Sequence, residues 1–163
     1  MSQNPFEPPQ SDVTDPNDES SGSIVKGVLL GGAVDIIGTV ALGIVLGIAF
    51  AASAGPDLSE PQDVDALGNA FTRAATGLDT IWGMLSFVFG LSLSALGGYV
   101  CAGHAGQKWR VATLILGALM GLFSGISAAG MYTLGENLGL SVLTVAIIFL
   151  GGWLRMGARQ PTP

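Results

Sequence analysis

The sequence predicts an all-α polytopic membrane protein: a four-transmembrane-helix bundle behind a disordered N-terminal tail. Three observations predict it. Four long stretches are almost free of charge, and a spanning helix needs ~20 apolar residues. Hydrophobic residues make up 49% of the 163 and charged residues only 11%, against roughly 25% charged in soluble domains. Lys and Arg gather on one side of the implied map, as orientation signals do.

Residues 1–23 hold four prolines and five of the twelve acids, Glu7, Asp12, Asp15, Asp18 and Glu19. Almost nothing there can be buried, so a disordered tail is expected. An acidic, Pro-rich start is also unlike the basic opening of a cleaved signal peptide. Within the tail, Asn4, Pro5, Phe6, Glu7, Pro8 and Pro9 form a stiff, extended segment. It presents Phe6 in a form suited to a partner's groove, so a cytoplasmic partner for residues 4–11 is expected. The bland alternative is a solvated tail with an incidental aromatic.

The first span is expected over 24–52. Its small residues recur every four positions: Gly27, Gly31, Asp35, Thr39, Gly43, Gly47, Ala51. Residues four apart share a helix face, and small faces let membrane helices approach closely. Such a row drifts by about 40° per step. Seven positions cannot all face one neighbour, so this helix should change neighbours, with Asp35 near the change. Residues 57–77 are polar and carry four more acids. Ser59 and Gln62 read as a capping box, and Val64, Leu67, Phe71, Ala74 and Leu78 recur at helical spacing. A short amphipathic or connecting helix is expected there, outside the membrane.

The second span is expected over 80–102, with Asp79 as N-cap and the row Ser86, Gly90, Ser94, Gly98, Ala102. A polar turn at 103–107 leads to the third span, 109–134, with the row Thr113, Gly117, Gly121, Gly125, Ala129. A turn over Gly135, Glu136 and Asn137 leads to the fourth, 138–156, with residues 159–163 as a short tail. The fourth lacks a full row of small residues and is rich in Val, Leu, Ile and Phe. It is expected to meet most lipid.

With four spans, Lys26, Lys108, Arg110, Arg155 and Arg159 share one side and Arg73 stands alone on the other. Both termini should then be cytoplasmic. Trp82, Tyr99, Trp109, Tyr132 and Trp153 fall near helix ends, as an interfacial belt requires. An internal echo joins Leu96-Gly97-Gly98-Tyr99-Val100 to Leu150-Gly151-Gly152-Trp153-Leu154. Two hairpins in one orientation would make a parallel repeat. Chance is the alternative in a chain with 25 glycines.

The Gly-Gly-aromatic ends and the Asn4 to Pro9 segment resemble those of small, uncharacterised bacterial four-span inner-membrane proteins. The resemblance implies a multi-pass protein of the bacterial inner membrane; it supports architecture and location and assigns no particular activity.

Several function classes are disfavoured. No basic patch suits nucleic acid. Cys101 and His104 are too few for zinc, which takes three or four ligands. No nucleophile elbow surrounds a Ser, and the glycine runs lack a phosphate loop's Lys-Ser/Thr ending. No catalytic, cofactor or metal residues are expected, and the chain is not read as an enzyme. Cys101, near an interface, is a candidate for acylation or a buried inert thiol.

Asp35 carries the chemistry that remains. It lies roughly 10–15 Å into the first span. An ionised Asp at the membrane centre costs about 2.5–3.5 kcal/mol on insertion scales. One reading makes it a polar clamp, with Ser86, Ser94 or Thr113 as partner. The protein is then a non-catalytic packing scaffold or accessory subunit, joined to the lipid bilayer, a second copy or another membrane protein. The alternative makes Asp35, with Thr39, Ser86 and Ser94, a proton or cation site in a small oligomeric transporter or channel.

Overall fold

A computed structural model describes residues 22–53, 64–127 and 132–158. All of its elements are helical: α1 (Ile24–Ser53), α2 (Val64–Thr76), α3 (Ile81–Ala105), α4 (Trp109–Ser127) and α5 (Leu134–Gly157), with a 3₁₀ turn at Gly106–Lys108. Three helical stretches are long and apolar enough to cross a bilayer: Ile24–Ser53, Ile81–Ser127 and Leu134–Gly157. This is the build of a multi-pass membrane protein. The tail segment Asn4 to Pro9 and the Ser59–Gln62 box lie outside the described residues.

The middle stretch contains α3, the 3₁₀ turn and α4, and the chain reverses within it. In one straight helix, Cys101 and Leu116 would stand about 22 Å apart. Both instead lie within van der Waals reach of a Cβ built on Gly31. The reversal occurs at Gly106, whose φ of 57° suits a residue without a side chain. α3 therefore runs antiparallel to α1 and α4 and parallel to α5.

Close backbone contact holds one end together. A Cβ on Gly27 would stand 2.7 Å from the Cys101 carbonyl oxygen, and one on Gly31 would stand 2.6 Å from that of Gly97. Cβ atoms on Gly98 and Gly151 would overlap the carbonyls of Ile148 and Ala95. α3 thus turns one small face to α1 and another to α5. α4 sets Gly117 and Gly121 against Val145 and Ser141 of α5. The core here is Cys101, Ala102, Ala105, Trp109, Ala112, Leu116 and Ile148. Lys26, Lys108, Arg110 and Arg155 all belong to this end.

Four expectations are corrected. The N-cap of α3 is Thr80 rather than Asp79; its Oγ1 accepts from the Gly83 N–H. The predicted turn over Gly135, Glu136 and Asn137 is instead the first turn of α5, closed by a capping box between Thr133 and Glu136. Trp109 opens α4, at a helix end as expected, but its ring does not face outward. It is buried, 5.4 Å from the Phe149 ring, and it packs on Gly152. The fourth apolar segment is not the most exposed, because α5 buries Ile148, Gly151 and Gly152 between α3 and α4. α1 instead leaves most apolar surface outward, including Val25, Leu29, Ile37, Ile44 and Ile48.

Candidate functional site

The contact face of α1 departs from its fourfold row at the site. The row from Gly27 through Gly31 to Asp35 is buried. The next contact is Gly38, against Leu93 of α3, followed by buried Leu46 and by Phe50, which meets Phe71 of α2 and Trp82 of α3. The three-residue step from 35 to 38 takes back most of the drift of the preceding fourfold steps, which then resumes through Leu46 and Phe50. α1 keeps α3 as a neighbour along its length, and its second neighbour changes from α4 at one end to Phe71 of α2 at the other, as the drift of the row required. It meets α4 beside Gly31 and Gly32, at Leu116 and Met120. Thr39 and Gly43 are left off the contact face, and a Cβ on Gly43 would meet nothing within 4 Å.

Beyond Asp35, α1 stays on α3 and α4 on α5, and a cavity of about 460 Å³ lies between the two pairs. Asp35, Ser94 and Met120 lie at the level where the closed half ends. Ser127 and Tyr132, near the junction of α4 and α5, line the far end. Ile36, Val40, Phe87, Leu91, Phe123, Leu140 and Leu143 supply apolar wall. Hydroxyls come from Thr39, Ser86, Ser94, Ser124, Ser127, Tyr132 and Thr144.

Asp35 is 6% exposed. The Ser94 hydroxyl donates to it, 3.1 Å from Oδ1 and 3.3 Å from Oδ2. A single hydroxyl proton is shared between two oxygens that together accept about four hydrogen bonds. Most of the carboxylate's acceptor capacity therefore stays unused among the described residues. Thr113 does not reach it: its hydroxyl donates within its own helix, to the carbonyls of Trp109 (2.9 Å) and Arg110 (3.1 Å).

Asp35, Thr39, Ser86 and Ser94 all line this one cavity. Sequence reasoning missed Ser124, Ser127 and Tyr132. The i, i+3 spacing of the two serines on α4 was a visible sign that they share a face. His104 lies away from the cavity, with Nδ1 3.0 Å from the Val100 carbonyl. Cys101 is a fully buried free thiol. Among the described residues no group of three or more His, Cys, Asp or Glu could hold a metal.

Compared with protein-family models, curated proteins and solved structures, the chain matches none.

Proposed function

We propose that α1, α3, α4 and α5 all cross the bacterial inner membrane, and that the protein binds a proton or cation at Asp35 in a small transporter or channel. One observation carries this reading. The bundle is packed shut by glycine on one side of Asp35 and open on the other, so the buried carboxylate is the floor of a cavity. A charge in hydrocarbon is costly unless neutralised or hydrated, and a cation arriving through the cavity neutralises it. Lys26, Lys108, Arg110 and Arg155 mark the closed end as cytoplasmic, so the cavity faces outward. No catalytic step is part of this function.

A packing scaffold or accessory subunit is the second reading, favoured by the hydrogen bond that ties α3 to α1 through Ser94 and Asp35. Reconstituted vesicles with imposed proton and cation gradients separate the two. The expected result is wild-type flux that Asp35→Asn abolishes while its helix content by circular dichroism is unchanged. Wild-type vesicles without flux of any tested ion, with Asp35→Asn and Ser94→Ala equally destabilised, would leave the scaffold.

A further inference from the structure

The walls around Asp35 constrain what it can hold. We propose that the ligand is a monovalent organic ammonium with a small apolar body, its nitrogen at Asp35 and its body along the cavity. This rests on Asp35 being a cation site.

Charge selects first. Among the described residues, Asp35 is the one carboxylate lining the cavity. A divalent ion takes six to eight oxygens, usually from several carboxylates, and a single acid leaves it under-neutralised. Coordination selects next. A dehydrated alkali ion wants oxygens all round it, and much of this wall is Ile36, Val40, Phe87, Leu91 and Phe123. An ammonium has only three N–H donors. The two oxygens of Asp35 and one nearby hydroxyl satisfy them, and Thr39 stands one helical turn beyond on α1.

Size selects last. About 460 Å³ is far more than a bare ion fills and lies within the ~300–1,000 Å³ of small-molecule sites. Apolar wall above a single charge fits a ligand that is charged at one end and greasy at the other. Gly90 widens the cavity on the α3 side, where a built Cβ meets nothing within 4 Å.

The test uses the full chain in lipid nanodiscs, with empty nanodiscs subtracted. Binding of 2-phenylethylammonium is titrated calorimetrically beside its neutral match 2-phenylethanol, Na⁺ and Ca²⁺. The ammonium should bind at least about tenfold tighter than the alcohol, since its hydrogen bonds to a carboxylate are charge-assisted. Asp35→Asn should remove that difference. Gly90→Leu should weaken the ammonium about tenfold or more by filling the cavity, with Asp35 and Ser94 intact. If Na⁺ or Ca²⁺ binds through Asp35 and the ammonium does not, the ligand class is wrong and the cation site stands. If no cation binds the wild type, the ammonium ligand and the cation site both fall, and only the proton reading, tested by the flux measurement, is left. Unchanged ammonium affinity in Gly90→Leu would overturn the placement of the body, even if Asp35→Asn fails to fold.

Discussion

Gly98 and Gly43 are the same residue in the same kind of fourfold row, and the structure gives them opposite work. A Cβ on Gly98 would run into the Ile148 carbonyl, and one on Gly151 into that of Ala95. These neighbours are backbone and cannot swing aside. Gly98→Ala and Gly151→Ala should each destabilise by about 1–3 kcal/mol, the usual range for overpacking. Gly43→Ala meets open space and should be neutral or stabilising, by up to about 1 kcal/mol, because alanine loses less conformational freedom in a helix. Thermal unfolding midpoints in one detergent would show the split; equal loss at all three sites would contradict the packing. Composition made the fourfold rows visible, but it could not separate these glycines, because the difference lies in which backbone passes opposite. Asp35 was legible for a different reason: an acid stands out in an apolar run wherever its neighbours lie. Its partner was less so, since Ser86, Ser94 and Thr113 were equal candidates until depth and direction were fixed.

At the scale of a helix, starts and stops depend on a few hydrogen bonds. α5 begins at Leu134 because Thr133 and Glu136 close a reciprocal box. The Thr133 N–H donates to Glu136 Oε2 at 2.9 Å, and the Glu136 N–H donates to Thr133 Oγ1 at 3.4 Å. Thr133→Ala should cost about 1 kcal/mol, as N-cap losses do. Hydrogen–deuterium exchange should speed up at the amides of Gly135 to Asn137 and stay unchanged in the middle of α4. Gly135 had pointed to a turn, since glycine is about 1 kcal/mol worse than alanine in a helix. The Thr-x-x-Glu spacing was the better guide. Tertiary bonds also hold this end, with Asn137 Nδ2 donating to the Gly125 carbonyl at 2.9 Å and Ser141 Oγ to that of Gly121 at 3.0 Å. The face of α1 was less legible than its length. A row of every fourth residue looks continuous in sequence, yet on a straight helix it winds round the axis, so α1 leaves the row at Gly38 and passes from α4 to α2 as its second neighbour.

The whole molecule is asymmetric along its length, and the asymmetry links topology to function. The glycine-packed end carries Lys26, Lys108, Arg110 and Arg155, with Arg155 Nη1 donating to the Tyr99 hydroxyl at 2.7 Å. The open end carries the cavity, and α2 lies toward it through the Phe71–Phe50 contact. An outward-facing cavity requires that α3 and α4 cross separately, although together they form one apolar stretch of 47 residues. Counting continuous helical stretches gives three, because α3, the Gly106–Lys108 turn and α4 adjoin without a break, whereas the spacing of charges gives four. Three crossings place the termini on opposite sides of the bilayer; four place them on the same side. Single cysteines at Ser2, Gly68 and Thr162, probed with a membrane-impermeant maleimide, decide between these. Wild-type Cys101 is fully buried, so the parent protein should stay unlabelled and serve as its own control. In sealed right-side-out vesicles, Gly68→Cys should label at once, and Ser2→Cys and Thr162→Cys only after lysis. Labelling of Thr162→Cys together with Gly68→Cys would mean three crossings. It would also remove the outward cavity on which cation entry to Asp35 depends.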